Sequence, residues 1–292
     1  MPLPFLFLLT IRTNKQLERY NVDTNKTITH LSLCSGYEGI GLGLRSVLPT
    51  LREIAYVERE GFPIANLVAK MEEGKLDAAP VFTDVKKFPY GKFRGCVDIL
   101  SGGFPCQPFS AAGKRQATED PRHLFPYIAD GIRECQPRIV FLENVQGILS
   151  CKTADGEPVL QYVLRTLEGL GYRATAGIFS AEEVGAPHQR KRVFILANSN
   201  SKGLEGMRQC NHSQGREASN RQLRGGDKVW PSKPGEPQHK WEEPRVTGQT
   251  EPQLGRTSNG SSSRVDRLRL LGNGVVPATA AKAFVTLIQR LI

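Results

Sequence analysis

The sequence predicts a Rossmann-like α/β fold, a mostly parallel sheet with helices on both faces. Between about Thr27 and Leu196, short apolar or β-branched runs alternate with helical stretches. A glycine-rich turn follows the first run, and a loop rich in glycine and proline follows the fourth. Such loops lie at the carboxyl ends of parallel strands, where ligands bind in open α/β sheets.

Each element is predicted from its periodicity and from the residues that flank it. Runs of β-branched and apolar residues bounded by Gly, Pro, Asn or charged residues indicate strands, and apolar residues at helical spacing indicate helices. Pro277 at a first turn favours the last helix. The predicted strands are Ile28–Leu33, Ile54–Glu58, Val81–Thr83, Val97–Leu100, Ile139–Glu143, Ala174–Phe179 and Val193–Ala197. The predicted helices are Gly39–Leu48, Phe62–Met71, Leu124–Glu134, Val159–Leu170 and Pro277–Ile292.

Composition divides the chain into four parts. We expect an N-terminal extension at 1–26, a catalytic and cofactor-binding domain at 27–198, and a short polar insert at 199–263. A C-terminal segment at 264–292 then returns to the domain. The insert has too few apolar residues to build a core of its own. The first eleven residues are apolar but too short to cross a bilayer, so we expect no membrane association.

The charge favours a polyanionic partner. The 292 residues include 39 Lys and Arg against 29 Asp and Glu, a net charge of +10. Nucleic acid is the commonest partner of such a chain, although a merely basic soluble protein is the alternative. The six cysteines show neither a Cys-x-x-Cys pair nor regular spacing. We therefore predict no disulfides and no metal site, and a reducing, cytoplasmic location.

One cysteine stands where packing does not require it. The strand 97–100 leads into nine residues, Gly102 to Ser110, whose glycines and prolines form a loop of fixed shape. Cys106 in that loop is a candidate nucleophile at a strand's carboxyl end. A buried cysteine acting as a small hydrophobe is the alternative, and it suits Cys96 and Cys135 better.

Two strand-end acids and a glycine turn indicate an adenosine site. The turn 34–43 joins a strand to a helix, and its glycines allow a ligand close to the backbone. Glu58 follows Gly36 by 22 positions, as acids that bind ribose hydroxyls do, and Asp84 could accept from an adenine amino group. A dinucleotide site, a plain turn and solvated carboxylates are the alternatives.

Charged residues mark two further strand ends. Glu143 closes the apolar stretch 138–145, and partial burial there would raise its pKa and keep a proton available. Arg190 and Arg192 lie two positions apart, before the strand at 193–197. Their side chains point to the same side if this stretch is extended. The alternatives are a glutamate that caps the next turn and a basic patch that only binds phosphate.

These motifs together resemble those of the DNA (cytosine-5)-methyltransferases. Gly-Gly-Phe-Pro-Cys-Gln-Pro-Phe-Ser is similar to their catalytic loop, and Glu-Asn-Val at 143–145 to their second catalytic motif. Gly272 to Pro277 matches their last motif, and the resemblance covers roughly Thr27 to Leu291. The departures from the family pattern are Ser32 for Asp, Cys34 for an aromatic, Glu38 for glycine and His188 for Gln.

The resemblance implies a methyltransferase fold that uses S-adenosylmethionine and methylates carbon 5 of cytosine in double-stranded DNA. Cys106 would attack carbon 6 of a flipped base, Glu143 would protonate N3, and Arg190 and Arg192 would contact the cytosine oxygen and phosphate. Glu38 would face the methionine ammonium or point away. The implied cofactor residues are Cys34, Ser35, Gly36, Tyr37, Gly39, Glu58, Asp84, Pro105, Asn273 and Val275. The implied DNA contacts are Gln107, Ser110, Lys114 and Arg115.

The resemblance also implies a monomer, with a cognate restriction endonuclease as a candidate partner. In the family, the region corresponding to 199–263 reads the target sequence. An RNA cytosine-5 methyltransferase remains an alternative, as does a catalytically weak DNA- or adenosine-binding relative. A cysteine hydrolase is disfavoured because no histidine with its own orienting acid accompanies Cys106.

Overall fold

The computed structural model describes residues 27–104, 124–153, 155–199 and 262–291. Its strands are β1 (Ile28–Leu33), β2 (Leu51–Val57), β3 (Val81–Phe82), β4 (Ile99–Gly103), β5 (Ile139–Val145), β6 (Tyr172–Phe179) and β7 (Arg192–Ser199). They form one sheet in the order β3-β2-β1-β4-β5-β7-β6. Neighbouring strands are parallel except that β7 runs antiparallel to both β5 and β6. The predicted fold class is confirmed.

The helices are α1 (Gly39–Val47), α2 (Gly61–Glu72), α3 (Phe125–Cys135), α4 (Val159–Gly169), α5 (Ser262–Asn273) and α6 (Pro277–Leu291). Short 3-10 helices occupy Tyr90–Phe93, Gln146–Leu149 and Glu182–Val184. Most predicted elements agree with these within a few residues. The largest shifts are in β2, which begins three residues before the predicted Ile54, and in β4, which extends through Gly103. Helix α5, which begins near the start of the predicted C-terminal segment, is not among the predicted helices.

Alternation along the strands builds a core on each face of the sheet. In β5, Val140 and Leu142 pack with α3 and α4, whereas Ile139 and Phe141 pack with α1 and α6. The Phe141 ring lies 5.4 Å from that of Phe284 on α6. Residues 269–291 are apolar enough on average to pass for a membrane span, but half of that window is buried within the protein. Helix α6 is thus a core helix of this sheet.

The strand order places the site. The chain passes from β1 to β2 and β3 on one side and then returns to β4 on the other side of β1. The order therefore reverses between β1 and β4. At such a point the connecting helices diverge to opposite faces and leave a crevice at the carboxyl ends of the strands. Several of the predicted site residues lie at those ends.

Candidate active site

A cavity of about 790 Å³ opens at the carboxyl ends of β1, β2, β4 and β5. This volume is typical of a pocket for a small organic ligand. Its wall includes the glycine turn after β1 and the segment that joins α5 to α6. The predicted site residues in the wall are Cys34, Ser35, Gly36, Gly39, Glu58, Glu143, Arg192, Asn273 and Val275.

The backbone of the glycine turn makes several of the contacts that hold it. Gly36 has a φ of +54°, a conformation that favours glycine, and its N–H donates to Oε2 of Glu58 at 2.8 Å. The Ser35 N–H donates to the Val57 carbonyl at 3.2 Å. A Cβ at Gly39 would overlap the carbonyl of Val275. The turn therefore packs directly against the segment that precedes α6.

Glu58 is oriented by three backbone amides. Besides the Gly36 N–H, its carboxylate accepts from the N–H groups of Arg59 at 2.7 Å and Glu60 at 2.9 Å. Those two residues lead into α2, so the carboxylate lies near a helix amino terminus, where negative charge is favoured. Glu58 is nearly buried, yet it lines the cavity. Its position is consequently fixed before any ligand arrives.

Cys34 lines the same cavity but is not poised as a nucleophile. Burial, followed by the nearby charge of Glu58, raises the pKa of its thiol to about 12. The thiol therefore stays protonated at neutral pH. Its backbone has a φ of 50°, unusual for a residue other than glycine, and it begins the glycine turn.

Three predicted site residues lie outside the cavity wall. The Tyr37 hydroxyl donates to the Val275 carbonyl, and its ring covers Gly274, where a Cβ would overlap the ring. Arg190 donates to the carbonyls of residues 271, 272 and 274 instead of facing the cavity. Asp84 accepts from the Lys86 N–H at 2.9 Å. Tyr37 and Arg190 thus bind, from outside the cavity, the backbone of the segment before α6. The ligand contacts expected of Tyr37, Arg190 and Asp84 stay predictions.

Glu143 and Arg192 meet at the edge of the cavity. Because β7 runs antiparallel to β5, its first residue lies opposite the end of β5, with Arg192 paired with Val145. Arg192 Nε lies 2.9 Å from Oε1 of Glu143. Burial raises the pKa of the Glu143 carboxyl to about 7, although the charges of Arg192 and Arg190 oppose the rise. A large fraction of this carboxyl therefore holds a proton at neutral pH.

Close packing of β4 against β5 brings Glu143 near the strand that leads to Cys106. Gly103 pairs with Glu143, and a Cβ at Gly103 would lie 3.0 Å from Oε2 of that glutamate. Glycine at this position leaves room for the carboxyl. Cys106 follows Gly103 by three residues.

Sequence reasoning missed the part played by Asn144. Its buried side chain donates from Nδ2 to the Phe104 carbonyl at 2.9 Å, and its Oδ1 accepts from the Val145 N–H at 2.8 Å. It thereby ties the end of β5 to the backbone that leads out of β4. The sequence feature that could have indicated this role is the position of Asn144 between Glu143 and Val145 in the second catalytic motif.

The predicted residues of the cysteine loop lie outside the described residues. Phe104 and Leu124, the described residues on either side of that segment, both line the cavity. Both ends of the segment 105–123 are therefore anchored at the cavity. The predicted residues concerned are Pro105, Cys106, Gln107, Ser110, Lys114 and Arg115. Most of the insert, 200–261, and the N-terminal 1–26 also lie outside the described residues.

The chain is similar in sequence to one family of known proteins. The sequence model for "C-5 cytosine-specific DNA methylase" matches residues 28–249. The chain is 29% identical over 181 residues to the type II methyltransferase M.PspPI of Psychrobacter sp., a match that covers 61% of this chain and 41% of that protein. It is 32% identical over 172 residues to the type II methyltransferase M.NgoMIV of Neisseria gonorrhoeae, covering 59% of this chain and 52% of that protein.

Among solved structures, that of a Spodoptera frugiperda DNMT2 variant is similar in fold, with a TM-score of 0.50 at 20% identity. The match covers 60% of this chain and 51% of that one. The chain thus matches about half, or less, of the length of these relatives.

The raised pKa of Glu143 predicts a pH-dependent penalty on folding. Between pH 4.5, the ordinary pKa of a glutamate, and about pH 7, the Glu143 carboxyl ionises in the unfolded chain but stays largely protonated in the folded one. The wild type should therefore lose stability relative to Glu143→Gln as pH rises through this range, by at most about 3 kcal/mol. Urea unfolding of both proteins at about pH 5 and about pH 8 measures the difference. Parallel pH profiles would contradict the assignment.

The tie made by Asn144 predicts a loss of stability in Asn144→Ala. The substitution leaves the Phe104 carbonyl without its buried donor, so the free energy of unfolding should fall by about 1–3 kcal/mol. Ser150→Ala is the control, because it removes an exposed hydrogen bond from a side chain to the Gly147 carbonyl. It should change stability by no more than about 0.5 kcal/mol. Equal effects of the two substitutions in urea unfolding would rule out the proposed tie.

Proposed function

Because the chain belongs to the C-5 cytosine-specific DNA methylase family, we propose that it methylates carbon 5 of cytosine in double-stranded DNA, with S-adenosylmethionine as methyl donor. The observation that carries the proposal is the contact of buried Glu143 with half-buried Arg192, beside the strand that leads to Cys106. The same cavity is bounded by the glycine turn and Glu58.

The cavity wall suits S-adenosylmethionine. Gly36 presents bare backbone, and the fixed carboxylate of Glu58 has lone pairs left to accept ribose hydroxyls. Asn273 and Val275 also line the cavity, next to the turn, and are proposed to contact the methionine end. When bound, the cofactor supplies an electrophilic methyl group.

Cys106 is proposed to make carbon 5 reactive. Its thiolate would add to carbon 6, forming an S–C bond and moving the electrons of the C5–C6 double bond onto carbon 5 as an enamine. After carbon 5 gains the methyl group, loss of its proton and cleavage of the S–C bond restore the double bond. A cytosine in a duplex reaches such a pocket only by leaving the base stack.

Glu143 is proposed to assist the addition by protonating N3 of the base. Thiolate addition pushes negative charge into the ring, and a proton delivered at N3 stabilises it. With a pKa of about 7, the carboxyl is both protonated in part at neutral pH and able to release its proton. Arg192 orients the carboxyl and would donate to the cytosine oxygen.

The partners follow from charge and from the relatives. A net charge of +10 suits a DNA substrate, and phosphate contacts make binding salt-dependent. M.PspPI and M.NgoMIV are named type II methyltransferases. We therefore place the chain in a restriction–modification system, as a cytoplasmic monomer paired with an endonuclease. Residues 27–198 with 264–292 would form the catalytic unit, and 199–263 would read the target.

The proposed function predicts covalent trapping by DNA that contains 5-fluorocytosine. The fluorine cannot leave as a proton does, so the chain should remain linked to the methylated base through Cys106. A gel-shifted adduct that survives denaturation should form with the wild type and S-adenosylmethionine. Cys106→Ala should form none, while Cys96→Ala, which alters an exposed cysteine of the described residues, should trap normally.

Measurements of cofactor binding distinguish the proposed roles of Cys106 and Glu58. Cys106→Ala should still bind S-adenosylmethionine in calorimetry, whereas Glu58→Ala should bind it at least about tenfold more weakly, because it loses the fixed acceptor. No adduct across DNA of varied sequence would refute the DNA proposal, and an adduct formed only with RNA that contains 5-fluorocytosine would change the substrate. Loss of cofactor binding in folded Cys106→Ala would refute the division of roles.

A further inference from the structure

A second group of polar residues lies beside the glycine turn, and its members do not line the cavity. This polar cluster consists of His30 on β1, Glu38 just before α1, and Glu53 on β2. All three side chains are fully buried. His30 Nδ1 lies 4.0 Å from Oε1 of Glu38 and 3.8 Å from Oε1 of Glu53, and the cluster's atoms lie within 4.8 Å of one another. Glu38 therefore points away from the cavity, one of the two orientations expected from the sequence.

These three converging atoms share one property. Among the described residues, none of them has a partner at good hydrogen-bond geometry, although Glu38 lies near the Gly41 backbone and Glu53 near His30. The opposite atom of each side chain is satisfied, because His30 Nε2 lies 2.7 Å from Ser101 Oγ and Glu38 Oε2 accepts from Ser32 Oγ at 2.7 Å. Glu53 Oε2 accepts from Arg45. A buried polar atom left unpaired costs about 1–3 kcal/mol, so three at one point indicate a shared electrophilic partner.

The local backbone keeps this point open. Glu38 adopts a left-handed φ of 68°, which is costly for a residue other than glycine, and this conformation accompanies the burial of its carboxylate in the cluster. A Cβ at Gly41 would overlap Oε1 of Glu38 and lie 2.9 Å from Oε1 of Glu53. Glycine at position 41 thus preserves space where the two carboxylates meet.

Acidic groups crowd the cluster. Arg45 contacts Glu53 and lies 2.9 Å from Asp77, so one guanidinium serves these two carboxyls. The Glu38 carboxyl lies beside that of Glu53. Negative charge buried at this point requires compensation, which a divalent cation would supply.

We propose that the polar cluster binds a divalent transition-metal cation through His30 Nδ1 and the Oε1 atoms of Glu38 and Glu53. Mixed imidazole and carboxylate donors suit Zn²⁺ and Mn²⁺. Ligands each about 2.1 Å from a tetrahedral ion are about 3.4 Å apart, so both imidazole–carboxylate pairs must close by about 0.5 Å. The two carboxylate oxygens, at most 4.8 Å apart, must close by up to about 1.4 Å. The contact of His30 Nε2 with Ser101 resembles the outer hydrogen bond that usually orients a metal-bound histidine.

The ion would have a structural role. It would join β1, β2 and the start of α1, and it would hold Glu38, which precedes α1 at the end of the glycine turn. The turn's other side forms the cavity wall. The cysteine pattern gave no sign of this site, because its ligands are one histidine and two glutamates.

Elemental analysis tests the proposal without any measurement of methyl transfer. The untagged full chain, purified without a metal-affinity column, should carry about one equivalent of Zn²⁺ or Mn²⁺. Glu38→Gln should carry far less, because it loses an anionic ligand. Glu157→Gln is the control: it removes a carboxylate of an exposed ion pair with Arg165 and should keep the metal.

Thermal unfolding of the wild type provides a readout if Glu38→Gln does not fold. Dialysis against dipicolinate should lower Tm, and Zn²⁺ or Mn²⁺ alone should restore it. A folded wild type that carries no stoichiometric metal, and whose Tm responds to neither chelator nor added ion, would overturn the proposal and show that protons and water neutralise the cluster. Either result leaves the proposed methyl transfer untouched.

Discussion

The architecture of the site depends on the buried carboxyl of Glu143 and its contact with Arg192. The carboxyl lies between the backbone of Gly103 on β4 and a guanidinium that starts β7. This arrangement requires a glycine on one side and an antiparallel strand on the other, since only a strand that begins where β5 ends can place its first residue there. Asn144 then fixes the backbone of Phe104 beside the same carboxyl. Three adjacent strands are thus held in one register around a single acidic group.

The side of the cavity formed by the glycine turn depends on backbone contacts. Gly39 brings the turn against Val275, while Tyr37 and Arg190 bind the carbonyls of residues 271–275 from outside the cavity. The pair of Glu143 and Arg192 thus shares the cavity with a turn whose glycines leave backbone exposed, as expected for a pocket that would hold both a base and a methyl donor.

The sequence predicted the sheet and helices well because alternating apolar residues and glycine or proline boundaries are local signals. Glu143, Glu58 and Arg192 were predictable for the same reason, since each follows or precedes a recognisable strand. The partners of Arg190 and Tyr37 were not, because these contacts join residues 81 to 238 positions apart. The meeting of His30, Glu38 and Glu53 likewise depends on the register of β1 with β2. Helix α5 is absent from the predicted helices because its sequence has little amphipathic character.

Identification of the product tests the central claim most directly. DNA incubated with the purified chain and isotopically labelled S-adenosylmethionine can be digested to nucleosides and examined by mass spectrometry. The account predicts label in 5-methyl-2′-deoxycytidine alone, formed by the wild type and absent with Glu143→Gln or Cys106→Ala. Label on an exocyclic amine of cytosine or adenine would contradict it, because that chemistry needs neither the cysteine nor the buried acid. The absence of label from DNA in a chain that binds the cofactor would contradict it equally.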